Sequence, residues 1–404
     1  MKRNGHRRIS ERGVREAHIR KVQRFCCCHC HRSFVARHFP GRRISHELCE
    51  EIVRRHVEGG ESYRTIARWI KRETGRRPSP SSLQRVVEEV AIRCKTALEM
   101  SRELRPRWDG VLLLDEKMCP VRRRGQWLYL AVDTTGDIMH CRPVPELSST
   151  EAASFLREAQ ALPVRIKGIV TDLDPALTRA VEVVCPEIPH QYCIKHALAA
   201  IGILIGYVER DVRERGRIHS EVDELLAQPQ QGEVEAGVSR DSMLVARQKP
   251  TCINFAGENS IGLLYETCRM ILAAQTERQA LVLYNALRTN KRFPEKQHRK
   301  AVRFLTRRWD HLMMHHRVAG LPRTINLVEN VNKQLQRRYK TIEAFQYRST
   351  AVHYTNLLVA FLRQKPYTDC RGSRKHLNGK SRLASAKVRN LHASWLKNCL
   401  KPAV

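Results

Sequence analysis

The order of periodicities along this chain predicts an α/β fold: a mixed sheet carrying a long helical insertion and preceded by a small helical bundle. Three observations carry that prediction. Short runs of Val, Ile, Leu and aromatic residues recur between residues 108 and 193, with capped helical stretches between the later ones. From about residue 194 to 320 the pattern turns helical and polar, with few β-branched runs. Residues 44–93 read as three short helices in succession. At 404 residues, 42% of them apolar, the chain is too long for one ordinary core.

The helical elements come first. "ISHELCEEIVRRHVEGG" is a helix stopped at Gly59–Gly60, where glycine supplies the end signal. "SYRTIARWIKRETG" has Ser62 as its cap and Ile66, Ala67 and Ile70 on one face. "SPSSLQRVVEEV" places Pro80 at the first helical position, ahead of a stripe of Leu83, Val86, Val87 and Val90. This order resembles a helix-turn-helix, whose third helix would enter a major groove with Ser81, Ser82, Gln84 and Arg85 as readers. A generic three-helix bundle is the alternative.

The sheet follows. "WDGVLLLDEKMCPV", "GQWLYLAVDTTGD" and "IMHCRPVPEL" read as a meander with a "TTGD" hairpin turn, flanked by Asp133 and Asp137 as turn formers. Strand alternation points Glu116 to the face opposite Asp115. Trp127 and Tyr129 share a face and are read as core packing. "SSTEAASFLREAQAL" is a helix capped by Ser149 or Thr150. "VRIKGIVTDLD" is a buried strand, "DPALTRAVEVV" a helix and "IPHQYC" a last short strand. Within the helical stretch, 228–243 reads as a loop, and "DHLMMHHR" at 310–317 as a helix surface.

Charge narrows the partners. The net charge is +32 and the pI about 10.2, a surplus that calls for a polyanion, with nucleic acid as the default. Residues 1–45 carry 13 Lys/Arg against two acids, and residues 371–404 carry nine and no acid; both read as basic arms that face nucleic acid or stay partly disordered. No run of about 18 apolar residues exists, so no membrane span is expected. "MKRNGHRRISERG" lacks the apolar core of a secretory signal. Four of the 14 cysteines fall within Cys26–Cys30 and the rest are scattered, a pattern of reduced thiols in a cytoplasm. Cys27 and Cys30 have the two-residue spacing of a zinc knuckle, without a second pair upstream. They are either half of a zinc (Zn2+) ribbon or a Cys-rich turn that holds nothing. No Gly-rich phosphate loop is present, so ATP-driven chemistry is not implied.

The chemistry lies in three carboxylates. Apolar strands deliver Asp115 in "LLLDEK" and Asp172 in "IVTDLD". A carboxylate in such a strand is costly unless paired or metal-bound. "TINLVENVNKQLQRR" opens an amphipathic helix, with Asn326 as its cap, Val328, Val331 and Leu335 on the inner face, and Glu329 in the first turn. An acid there could simply complement the helix dipole. With the two aspartates it would complete a set able to hold two divalent ions, Mg2+ or Mn2+, for in-line phosphoryl transfer.

Four blocks resemble the DDE transposases of the Mutator superfamily, which includes Mutator-like elements and related bacterial insertion-sequence transposases. "LLLDEK" is similar to the first-aspartate block and "IVTDLDPALTRAV" to the second. "PEIPHQYCIKH" is similar to a Cys-x-x-His block, carrying Cys193 and His196. "INLVENVNKQLQRR" is similar to a Thr-Asn-x-x-Glu-x-x-Asn block, carrying Asn326, Glu329 and Asn332. The sequence departs from the family at Ile325, where threonine is usual, and in lacking the upstream cysteine pair. The resemblance implies a ribonuclease-H-like catalytic fold with an all-helical insertion. It implies metal-dependent cleavage and strand transfer at the ends of a mobile element, with Asp115, Asp172 and Glu329 as the triad and Cys193, His196, Asn326 and Asn332 beside it.

The expected organisation is a Cys-rich basic segment at 1–43, a DNA-binding helical region at 44–95 and a catalytic region at 105–196. An insertion at 197–320, a second catalytic part at 321–365 and a basic tail at 366–404 complete it. The expected partner is double-stranded DNA, both element end and target, bound by a homo-oligomer near a prokaryotic nucleoid. A non-catalytic, sequence-specific DNA-binding regulator of transposase origin is the alternative, and a metal-dependent nuclease or resolvase a third reading.

Overall fold

The computed structural model describes residues 2–12, 17–35, 44–75, 77–122, 125–207, 260–290, 293–342 and 344–401. It is a mixed α/β structure that divides into two compact units, residues 1–166, 182–184 and 326–404, and residues 167–181 and 185–325.

The first unit begins with an antiparallel sheet in the order β1 (Lys2–Arg12), β2 (Ala17–Cys26) and β3 (Ser33–Val35). The register pairs Lys2 with Cys26 and Cys26 with Ser33, so the cysteine-rich stretch is the turn between β2 and β3. The three expected helices follow as α1 (His46–Val57), α2 (Tyr63–Thr74) and α3 (Pro80–Ile92). Each begins where a serine oxygen accepts an orphan backbone N–H: Ser45 from Leu48, Ser62 from Thr65 and Ser79 from Ser82. Gly75 ends α2 at φ 71°, a left-handed position that favours glycine. The predicted stripes of α2 and α3 are buried throughout. A fourth helix, α4 (Ala97–Leu104), has no counterpart in the sequence pattern; a reciprocal capping box between Thr96 and Glu99 starts it.

The meander forms as predicted: β4 (Val111–Cys119), β5 (Gln126–Asp133) and β6 (Ile138–Val144), antiparallel, with Asp115 opposite Leu130 and Leu130 opposite Cys141. The hairpin aspartates do more than shape the turn. Asp133 is buried and accepts the N–H groups of Asp109, Gly110 and Thr135. Asp137 is buried in a bidentate pair with Arg363, at 2.7 and 2.9 Å. The helix α5 (Ser149–Gln160) is capped by Ser148, one residue before the expected caps, because the Ser148 hydroxyl oxygen accepts from Glu151 N.

The second unit contains β7 (Gly168–Thr171), α6 (Pro175–Val184), β8 (His190–Tyr192, parallel to β7) and α7 (Ile194–Ile205), then α8 (Ser260–Ala273), α9 (Glu277–Thr289) and α10 (Glu295–Arg317). Its helices bury Ile201, Leu264, Cys268, Ile271, Leu305 and Leu312 in one core. The loop expected at 228–243 lies outside the described residues. The stretch 310–317 is not a plain helix surface. His311 and His315, four apart and so on one face of α10, hydrogen-bond to the His190 carbonyl and the Gln191 side chain of β8, while Leu312 and Met313 are buried. Within the units the strand orders are β6-β5-β4 in the first and β7-β8 in the second.

The chain returns to the first unit with α11 (Asn326–Ile342) and α12 (Arg348–Gln364). The 366–404 tail, expected as a basic arm, packs instead. Two short helices, α13 (Arg382–Ser385) and α14 (Trp395–Cys399), bury Leu383, Trp395, Leu396 and Cys399. The indole N–H of Trp395 donates to Glu58 at 2.6 Å, and Cys94 pairs with Leu400 in a backbone bridge. Among the described residues no helix is long and apolar enough to cross a membrane.

Candidate metal centre

Asp115 lies at the fifth residue of β4, directly after the buried run Val111–Leu114. Its two oxygens are held separately. Oδ1 accepts the backbone N–H of Glu116 at 3.1 Å, and Oδ2 accepts Asn332 Nδ2 at 2.7 Å. Asn332 stands on α11, which packs on β4 and β5 through Val328, Val331 and Leu335. The asparagine is itself buried, and its Nδ2 also reaches the Glu116 carbonyl at 3.4 Å. The last of the four sequence blocks is thereby bonded to the first, 217 residues away. Glu329 is half-buried one helical turn before Asn332, on the same side of α11 by the three-residue spacing. Asn326, expected as the cap, is the exposed first residue of the helix.

Asp172 directly follows β7, and its Oδ1 accepts the N–H of Asp174 at 2.9 Å. Burial raises its carboxyl above the ordinary range, against the opposing pull of that hydrogen bond and of nearby His196. Asp174 caps α6 by accepting from Leu177 N, so the second-block aspartate left for chemistry is Asp172. Cys193 directly follows β8 and is fully buried, with its N–H on the Thr171 carbonyl at 2.8 Å. Burial alone would raise its thiol pKa, but hydrogen bonds involving His196 and the Ile325 backbone bring it below the ordinary value. The Cys193 backbone is thus tied to the last residue of β7, next to Asp172.

Asp115 and Glu116, adjacent on β4, each offer a carboxylate oxygen, and the two oxygens lie within 4.8 Å of each other. Such donors are hard oxygens, compatible with a divalent cation. Glu116, assigned from sequence to the opposite face, thus brings its carboxylate close to that of Asp115; among the described residues Glu329 belongs to no such group. Strand alternation separates Cβ directions, but a glutamate has two further carbons with which to swing its carboxylate back towards a neighbour.

The other expected site residues fall in two places. On α3, Ser81, Gln84 and Arg85 are exposed, while Ser82 is half-buried and joins the cap through its hydroxyl, 2.8 Å from that of Ser79. Gln84 donates to Glu88 at 2.8 Å. At the β2–β3 turn, hydrogen bonds with Cys30 and His29 lower the Cys27 thiol. Among the described residues Cys27 and Cys30 belong to no group of three or more metal-ligating side chains.

No protein-family model matches this chain. No curated protein matches it. Similar solved structures include a Drosophila P element transposase strand transfer complex, at 9% identity and TM-score 0.40, covering 79% of this chain and 93% of that one. Another is a simian T-cell lymphotropic virus intasome in complex with PP2A regulatory subunit B56 gamma, at 15% identity and TM-score 0.20, covering 51% and 70%.

Proposed function

We propose that this chain is a DDE-type transposase of the Mutator kind, which binds the ends of a mobile element and catalyses divalent-metal-dependent DNA cleavage and strand transfer. The observation that carries the reading is the 2.7 Å hydrogen bond from Asn332 to Asp115. It joins the glutamate-bearing helix to the first aspartate strand, the pairing that a three-carboxylate centre built from these blocks requires. The net charge of +32 supports a polyanionic substrate.

In this reading Asp115, Asp172 and Glu329 hold two Mg2+ or Mn2+ ions, with Glu116 as a further oxygen donor beside them. Bound there, the ions supply activation of a water or a 3′-hydroxyl and stabilisation of the leaving oxygen. Asn332 fixes the rotamer of Asp115 and leaves the carboxylate charge free for a cation. The desolvated Asp172 carboxylate favours a cation for the same reason that it resists ionisation alone. Residues 44–95 would read the end sequence through α3, with Ser81, Gln84 and Arg85 exposed on it. Two ends must be paired, so the working form is a homo-oligomer on DNA.

The test is cleavage of labelled end DNA in Mg2+ by Asp115→Asn, Asp172→Asn and Glu329→Gln variants. Each is expected to lose cutting and joining while keeping end binding. A Glu329→Gln protein that cuts near the wild-type rate would show that Glu329 only complements the helix dipole, a role of roughly 0.3–1 kcal/mol. A wild-type protein that binds ends but never cuts would be the DNA-binding regulator instead.

A further inference from the structure

The longest helix of the second unit has a charge pattern that nothing in the catalytic reading uses. Over the 23 residues of α10, Lys296, Arg299, Lys300, Arg303 and Arg307 are all exposed. At about 100° per residue they fall within an arc about 100° wide, opposite the buried Ala301, Leu305 and Leu312. Arg299 pairs with Glu295 at 3.4 Å, and Lys300 donates to the Leu204 carbonyl at 3.2 Å. Among the described residues, no acid pairs with Lys296, Arg303 or Arg307. Asp310, the next acid along the helix, is taken by Arg317 at 2.9 Å.

A helix face that is merely solvated interleaves its charges, because like charges four apart repel. The α1 helix does so: Arg54 and Arg55 meet Glu51, Glu58 and Glu61 in four ion pairs. On α10 cation follows cation at four-residue spacing, 296 to 300, 299 to 303 and 303 to 307. That arrangement costs helix stability unless an external anion relieves it. From Lys296 to Arg307 the stripe runs eleven residues, about 16 Å of helix. A DNA strand presents phosphates about every 3.4 Å along the duplex axis, so a stripe of this length spans several of them.

We infer that the exposed face of α10 is a docking surface for the phosphate backbone of duplex DNA, held through Lys296, Arg303 and Arg307. It is indifferent to sequence because it meets backbone and not base edges. The inference rests on reading the chain as an enzyme that handles DNA.

The test uses the full chain and a random-sequence 50-base-pair duplex, with binding followed by fluorescence anisotropy from 50 to 200 mM salt. Lys296→Gln/Arg303→Gln/Arg307→Gln is expected to reduce the slope of log affinity against log salt by about 2.7, at 0.9 for each phosphate no longer neutralised. Across that fourfold salt range the wild type would then lose about 40-fold more affinity than the variant. The charge-keeping variant Lys296→Arg/Arg303→Lys/Arg307→Lys should retain the wild-type slope. An unchanged slope in the glutamine variant overturns the inference, as does an equal loss in the charge-keeping one. A wild type that cuts end DNA alongside such a result would leave the proposed function standing; a wild type that binds no duplex would remove both.

Discussion

Asn332 is the residue through which the proposed catalytic role can be weighed against simple packing. It is 7% exposed, and its amide donates to a carboxylate at 2.7 Å. A hydrogen bond to a charged group is worth about 1.5–3 kcal/mol, with tenfold in rate for each 1.4 kcal/mol. If the bond holds Asp115 in its productive rotamer, Asn332→Ala should slow single-turnover cleavage roughly 10- to 150-fold and raise the Mg2+ needed for half-maximal rate. Asn332→Asp keeps the size of the side chain but removes the donor and sets a second carboxylate against Asp115. It should therefore be at least as damaging as alanine, whereas a packing role would tolerate it better. End binding and the circular dichroism spectrum should be those of the wild type in both. Two folded variants that cut within threefold of wild type would refute the coupling between α11 and the first aspartate.

The half-buried Asp172, whose carboxyl burial raises, should be relieved by neutralisation: Asp172→Asn is expected to melt above wild type in EDTA, and Mg2+ should raise the melting temperature of the wild type only. No difference in EDTA would mean that water reaches the carboxylate. Arg363→Met strands the fully buried Asp137 and should cost about 3–5 kcal/mol, or roughly 6–20 °C in melting temperature, with Asp137→Asn added in the double variant recovering part of it. Burial, with His311 adding to it, lowers His190 to about 3 from an ordinary value of 6.5, so the unfolded chain takes its proton first as acid is added. The stability of the second unit should thus be complete above pH 6.5 and fall towards pH 3. About 2–3 kcal/mol of it should already be lost to this residue at pH 4.5, and His190→Gln should flatten that slope in melts across the range.

Features encoded locally are legible in the sequence. Ser45, Ser62 and Ser79 each cap the helix that follows, because the cap bond spans three residues and both of its partners lie in one short string. The buried stripe of α11 follows from spacing alone, and the strands that carry Asp115 and precede Asp172 follow from the apolar runs before each acid. Helix α4 is not legible from periodicity because eight residues are too few to show a period, although Thr96 and Glu99 carry its capping box. The hairpin aspartate Asp137 reads as a turn former because its partner, Arg363, is 226 residues away. The tail misleads for a related reason: its charge is visible as composition, while its packing depends on a few apolar residues such as Leu383 and Trp395 that show no period.

Helix α11 divides its labour by angle. Val328, Val331 and Leu335 face inward and fix it on the sheet. Lys333, Arg337 and Lys340 are exposed on the opposite side. Glu329 and Asn332 lie at the border between these faces, half-buried and buried respectively. An acid needed only for the dipole gains nothing from that border position, since the dipole acts as well on an exposed side chain. In the role proposed for it, Glu329 would use both things the border gives: a wall that holds its rotamer and access to solvent. Alternation along β4 tells which way a side chain leaves the strand but not where the end of a long one comes to rest, which is why the strand pattern hides the approach of the Glu116 carboxylate to that of Asp115.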